Sequence, residues 1–325
     1  MRKNFFAVLA NTFRETLRQP IFGVVVFASV IALLFAPSLV MFTLEDDNLL
    51  LQDIGLSTLL VAGLLLGVFA AGTTITHEIE NKTVLTVVSK TIGRGRFLLA
   101  KFLGIAAAVT LAEYILALVL LMIVRYGVRQ TASDEPDFVV VTAGCLAAGL
   151  ACLVALAGNY LYRWRFTAAA ILLGLPLTTL AILALAFIDR HWHYSPKPLL
   201  AWSLLPPVLL TVTAALVLTA VAVTLAARFN LTLTLVATSI IFLLGAMADP
   251  WLGPIAREGQ GLASYAAWLP IAILPNLSFF VVANAIYQQT TLPLDYLLHA
   301  GIYALLYASG VLLFGILLFR NRQLG

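Results

Sequence analysis

Apolar residues run along this chain in blocks of about twenty, separated by short polar segments. A block of that length closed into a helix covers the hydrocarbon thickness of a bilayer, with every backbone hydrogen bond satisfied internally. The pattern predicts spans at about 21–44, 54–76, 99–124, 138–162, 166–188, 201–227, 231–248 and 296–319. The fold class that follows is an all-α, polytopic transmembrane bundle of about eight spans, with both termini on one side. Ahead of the first span, Phe6, Leu9, Phe13 and Leu17 recur at helical spacing while Arg14 and Arg18 fall on other faces. Residues 1–20 are therefore expected to form an amphipathic helix in the membrane interface, ending at Pro20. A cleaved signal peptide fits less well, because the polar lead is long and no small-x-small site follows a short apolar core.

The placement of charge orients the bundle. With the N-terminus inside, 14 of the 19 Lys and Arg residues fall in cytoplasmic segments, as the positive-inside rule requires, so both termini are expected inside. Arg125, Arg129, Arg190, Lys197 and Arg257 remain outside, with most acidic residues. Trp192, Trp202, Trp251 and Trp268 near the outer face and Trp164 near the inner one suit the headgroup level. Residues 262–286 are apolar enough to suggest another crossing, but Pro270 and Pro275 interrupt them, and a ninth span would carry Arg320 and Arg322 outside. The region 249–295 is expected to be extracytoplasmic and re-entrant, its irregular backbone surrounded by protein.

Composition closes off other classes. The chain is 62% hydrophobic and 10% charged, against about 45–50% and 25% for soluble domains, so it is one integral membrane unit over 1–325. No basic stripe is interleaved with aromatics, so nucleic acid is not an expected partner. Cys145 and Cys152 lie seven apart in one span, about 10.5 Å along a helix and too far for a disulfide, and read as small packing residues.

The longest charged interruption, 77–101, carries Lys82, Lys90, Arg94, Arg96 and Lys101. Lys82 to Ser89 can form a short helix exposing Val84, Leu85 and Val88 together, and Gly93 and Gly95 let the chain reverse before the next span. An apolar helix face in the cytoplasm needs a soluble partner. Glu78 and Lys82, four apart, form a favourable helical pair, and Glu78 with Glu80 reads either as part of a docking surface or as a solvated helix end.

The order Glu78-x-Glu80, Lys82-Thr83, a short apolar helix, Ser89, Gly93-Arg94, Gly95-Arg96-Phe97-Leu98-Leu99 and Lys101 resembles permeases of the type 2 ATP-binding-cassette (ABC) exporter family. Thr91, Gly93 and Ala100 stand where that family more often has Pro, Ser and Gly. The resemblance implies an interfacial N-terminal helix, a re-entrant region before the last span, and a basic C-terminus. It further implies that 77–98 is a coupling segment docking on a cytoplasmic ABC ATPase, with Glu78, Glu80, Lys82, Thr83, Leu85, Val88, Ser89, Arg94 and Arg96 at the contact. A second permease chain, in a homo- or heterodimer, and a bacterial inner membrane are implied too. The family core usually has six spans, so a further pair is expected within 138–227. The chain has no Gly-x-x-x-x-Gly-Lys-Ser/Thr loop, so ATP and its magnesium would be bound by the partner and no cofactor by this chain.

Single residues add candidates. Glu113 falls near mid-membrane, about 18 Å along a helix from Lys101; it is read equally as a pathway, gating or proton site and as a glutamate tying helices together. Asn159 reads as interhelical glue. His191 and His193, at i and i+2, make only a weak metal pair. There is no His-Glu-x-x-His and no Ser-His-Asp pattern, so the chain is expected not to be an enzyme itself. Two other classes stay open: a proton-coupled secondary transporter using Glu113, and a membrane scaffold that moves nothing.

Overall fold

The computed structural model describes residues 2–40, 47–76, 93–128, 136–258, 262–282 and 292–320. These form ten α-helices: α1 Arg2–Leu17, α2 Pro20–Val40, α3 Asp47–Ala71, α4 Arg94–Tyr126, α5 Phe138–Tyr162, α6 Phe166–Leu185, α7 Leu205–Ala226, α8 Leu231–Glu258, α9 Leu262–Ile273 and α10 Leu294–Arg320. Eight helices, all but α1 and α9, are long and apolar enough to cross a membrane, and they fall on the eight blocks read from the sequence. The fold is an all-α polytopic bundle, with no strand among the described residues beyond one isolated bridge, Ile188 to Tyr194.

Helix α7 is the hub. Of its most apolar stretch 72% is buried, against 17% for α10 and 22% for α8. It packs along α3, α4, α8 and α10, and its sequence supplies the means: Ala and Thr recur through Leu205–Ala226. Lipid tails are as apolar as leucine, so helices in a bilayer associate through close packing, which small residues permit. On α3, Gly63 and Gly67 lie one turn apart. A Cβ on Gly63 would come within 2.5 Å of Ala215 Cβ, and one on Gly67 within 2.4 Å of Thr219 Oγ1. Further along α7, Thr224 donates to the carbonyl of Val311 on α10 at 3.1 Å, and Gly315 leaves room for it. Helices α5 and α6 form a peripheral hairpin, each only 28% buried.

Helix α1 is amphipathic as expected, and Pro20 opens α2 as the first helical residue, where its missing N–H costs nothing. Its buried stripe differs from the one expected. Thr12, Thr16 and Leu17 are buried while Phe6 is 62% exposed. The reason is lateral packing on α4: Gly104 would place a Cβ 2.7 Å from the Leu9 carbonyl and 2.8 Å from Thr12 Cβ. A backbone approach that close suits threonine better than phenylalanine.

The stretch before the last span also departs from expectation. Helix α8 does not stop at 248 but runs ten residues further, through Pro250 and Pro254, both on its exposed side, so the region read as 249–295 begins inside a helix. Pro270 does not break the following helix either; it lies within α9, which ends before Pro275. Twelve residues make about 18 Å, too short to span. Helix α9 folds back along α8: Ser264 Oγ and Trp268 Nε1 both donate to the Ala256 carbonyl, at 2.8 and 3.1 Å. That carbonyl lies in the last turn, where no helical N–H reaches it. The Pro275 carbonyl then sits where a Cβ on Gly245 would be 2.5 Å away, about 20 Å back along α8 from its end. Three tyrosines of α10 hold the return: Tyr307 donates to the Ile273 carbonyl (2.8 Å), Tyr303 accepts from Asn276 N–H (2.7 Å), and Tyr296 donates to the Phe279 carbonyl (2.7 Å).

The α3–α7 seam gives a test with two signs. Gly67→Ala puts a methyl into Thr219 and should cost about 1–3 kcal/mol, seen as a lower melting temperature of the detergent-solubilised protein. Gly301→Ala meets open space, and should leave melting unchanged or raise it, since Ala favours a helix interior by roughly 0.5–1 kcal/mol.

Candidate functional site

The cationic elbow joins α3 to α4. Glu78, Glu80, Lys82, Thr83, Leu85, Val88 and Ser89 lie outside the described residues, so the site is seen through its two roots. At the first root α3 ends in a π-helical turn, Gly72–Thr76. Thr73 and Thr74 donate back to the carbonyls of Phe69 and Ala70, at 2.6 Å each, supplying donors for carbonyls that the widened turn shifts off the α register. A Cβ at Gly72 would strike Leu231 Cδ1 at 2.2 Å, so this root is seated against the start of α8.

The second root is the first two turns of α4. Gly93 is its extended N-cap. Arg94 is half-buried and Arg96 exposed, both engaged in interactions at the helix start. Gly95 packs against Ile316 of α10, whose Cγ2 lies 3.2 Å from where a Cβ would be. One turn on, Lys101 is only 1% exposed; its Nζ lies 3.6 Å from Glu15 Oε2 on α1 and 5.8 Å from the centre of the Phe97 ring. The two roots therefore grip different parts of the bundle, one α8 and the other α1 and α10. Glu15 and the two threonines of the π turn were not picked out from the sequence. A β-branched run at a helix end, Thr73-Thr74-Ile75-Thr76, was the available signal; nothing marked Glu15, because its partner lies 86 positions away.

Glu113 is fully buried, 0% exposed, where α3, α4 and α7 meet. Its Oε1 would be 2.8 Å from a Cβ on Gly63, and neither carboxyl oxygen has a hydrogen-bond partner among the described residues. The Gly63-x-x-x-Gly67 spacing, which makes room for it, is legible in the sequence as a helix-packing motif and went unread.

At the far end of the bundle a second polar cluster forms. Asp137 caps α5, accepting from Val140 N–H at 3.2 Å, and takes Arg125 Nε at 3.4 Å and Arg190 Nε at 3.9 Å. Arg125 also donates to the Ile188 carbonyl at 2.5 Å. His191 and His193 are exposed on the loop above, and no group of three metal-ligating side chains forms among the described residues. That loop is held by the Ile188–Tyr194 bridge and by Phe187 stacked on Tyr194. Asn159 does not join helices; it donates to the Trp164 carbonyl and closes the short link between α5 and α6. Cys145 and Cys152 are free and exposed, not packing residues.

Two cavities lie away from the elbow. One, about 430 Å³, opens between α2, α4, α5 and α6 and is mostly apolar. The other, about 370 Å³, lies between α8, α9 and α10, with the Asp249–Arg257 pair (2.8 Å), Trp268, Asn276 and Tyr303 on its walls. Glu113 lines neither.

The Lys101 environment predicts an ordering of stabilities. Glu15→Gln leaves a buried ammonium with less compensation and should lower the melting temperature, whereas Glu15→Gln with Lys101→Met should recover most of the loss, because an apolar pair at a buried site is close to neutral. A double variant less stable than Glu15→Gln would show that Lys101 is held mainly by other groups.

No curated protein matches the chain. Residues 44–187, from the link before α3 through the elbow to just past α6, match the family model described as ABC-2 membrane transporter related, and with eight apolar spans this match supports an ABC-2 type permease.

Proposed function

We propose that this chain is the transmembrane subunit of an ABC exporter in a bacterial inner membrane, driven by a separate cytoplasmic ATPase and paired with a second permease chain. The observation that carries the reading is the pair of roots: a segment whose sequence is cationic lies between two of the most buried spans, and its two ends are seated on three further helices. Its charge favours the cytoplasmic side, where an ATPase would dock. A push there reaches α3 and α4 together, and through their roots α1, α8 and α10, so the bundle tilts as a body. Glu78, Glu80, Lys82, Thr83, Leu85, Val88, Ser89, Arg94 and Arg96 form the docking surface. Substrate leaves at the interface between permease chains, and the apolar spans suit lipids, drugs or hydrophobic peptides. Helix α9 folds back along α8 and dips partway into the bilayer from the outer side, covered by α10.

The direct test is Leu85→Asp, which places a charge in the docking face. It should abolish co-purification of the ATPase while leaving membrane insertion intact; retained co-purification would count against docking at this face.

The enclosed, unpartnered carboxyl of Glu113 favours a second reading, in which that residue gates the pathway or couples transport to protons. The two readings separate by energy source. Under the first, export stops when the ATPase's phosphate-loop lysine is replaced and survives a protonophore in ATP-loaded membrane vesicles. Under the second the dependences reverse.

A further inference from the structure

Among the described residues, the cluster at the far end of the bundle holds more cationic donors than carboxylates that take them. Two guanidinium groups converge on Asp137, which is 2% exposed and already accepts a backbone N–H. The Arg125 side chain is 5% exposed, and its Nη1 has no hydrogen-bond partner among the described residues. Asp189 does not supply the missing acceptor: its one hydrogen bond among the described residues is from the Arg190 backbone N–H, at 2.7 Å, and Lys197 on the same loop offsets its charge. A buried donor left unmade is costly, more so on a charged group.

Directly beside this cluster lies the 430 Å³ cavity. Tyr126 and Gly127, the two residues after Arg125, form part of its wall, as does Val140, whose N–H Asp137 caps. The other walls are Leu34 and Pro37 of α2, Met122 of α4 and Gly144 of α5, so the hollow runs along the helices and is apolar. It has room for roughly fourteen water-sized groups at about 30 Å³ each, the scale of one acyl chain. It exists because the α5–α6 hairpin stands off the core, touching α2 only slightly.

We infer that this end of the chain is a binding site for one anionic phospholipid, its phosphate held by Arg125 and Arg190 and one acyl chain in the cavity between α2, α4 and α5. The phosphate oxygens accept from Arg190, which is 55% exposed and free to turn toward a headgroup, while the enclosed Arg125 behind it, whose Nη1 lacks a hydrogen-bond partner among the described residues, adds its positive charge. The chain replaces empty volume with apolar contacts between the peripheral hairpin and the core. The lipid thus acts as a wedge that completes the packing of α5 and α6.

Native mass spectrometry of the delipidated full-length protein tests this, with phosphatidylglycerol and phosphatidylcholine of identical chains supplied in equal amounts. The wild type should retain phosphatidylglycerol about tenfold or more in preference, the scale of one charge-assisted contact. Arg190→Gln, at an exposed position, should remove that preference. Gly144→Leu should weaken retention of both lipids about tenfold, because a Cβ at Gly144 meets only Met122 Sδ at 3.9 Å and the longer side chain fills the cavity. Glycerophosphoglycerol and inorganic phosphate, which lack chains, should not displace the lipid. Equal retention of the two lipids by the wild type, unchanged preference in Arg190→Gln, unchanged retention in Gly144→Leu, or displacement by either chain-free anion would each overturn the site. Melting temperatures of the two lipid-free variants no lower than that of the lipid-free wild type serve as the folding control.

Discussion

The close approach of α3 to α7 is the contact on which the rest of the bundle depends. In a bilayer no water drives apolar helices together, so attachment rests on how near two backbones can come. Gly63 and Gly67 meet Ala215 and Thr219, one turn apart on each helix, without a side chain between them. With α3 fixed to α7, α4 can close over the seam, and Gly55 accepts Leu120 of α4 in van der Waals contact. Helix α10 joins the opposite flank of α7 through Thr224 and Gly315. Each of these junctions repeats one device, a glycine facing a small or flexible side chain. Helix α6 has the device only at its start, where Gly23 of α2 faces Thr167, and the α5–α6 hairpin is the part that stands away from the core.

This arrangement bears on how force would travel. The elbow's ends continue directly into α3 and α4, which are both locked to α7 and to each other. Displacing the elbow therefore cannot be absorbed by sliding one helix. Lys101 and Gly104 bring α1 along with α4, and Gly72 brings the start of α8 along with α3. Packed interfaces of this density shift as bodies and do not deform continuously. A docking ATPase would find a stiff lever at this position.

Much of this was readable from the chain. Eight apolar blocks gave eight helices with boundaries close to those observed, because length and hydropathy alone determine what can cross hydrocarbon. The helix ahead of the first span and Pro20 as its boundary were equally plain. What failed depended on contacts that hydropathy does not register. Pro270 read as a breaker, yet it lies inside α9, just as Pro250 and Pro254 lie inside α8; helices in a bilayer tolerate proline where neighbouring helices and local adjustment re-satisfy the freed backbone groups. The α1 stripe was misassigned at Phe6 because hydropathy favours phenylalanine, whereas Gly104 offered a contact only threonine could use. Asn159 read as an interhelical bond because a polar residue near a span end invites that reading; its partner proved to be five residues away. Of the candidate site, the residues 77–92 lie outside the described structure, and Glu113, read as near mid-membrane, lies buried midway along α4 beside a glycine the reading did not pair with it.

The buried ionisable residues divide by depth, and the division argues for different roles. Lys101 near one end is compensated by Glu15 and the Phe97 ring, and Asp137 near the other end by two arginines and a helix N-terminus. These are the usual solutions for a charge drawn out of water: pair it, or bond it to backbone. Glu113 has neither among the described residues, and Gly63, which also admits Ala215 of α7, leaves its carboxyl room. A leucine at 113 would have offered packing without the cost of enclosing two unpartnered oxygens. Sites that break the local rules of stability without local compensation are where function is expected. The end clusters thus read as architecture, one of them completed by lipid, while the middle of the α3–α4–α7 seam is where a changing conformation would give a carboxyl something to do.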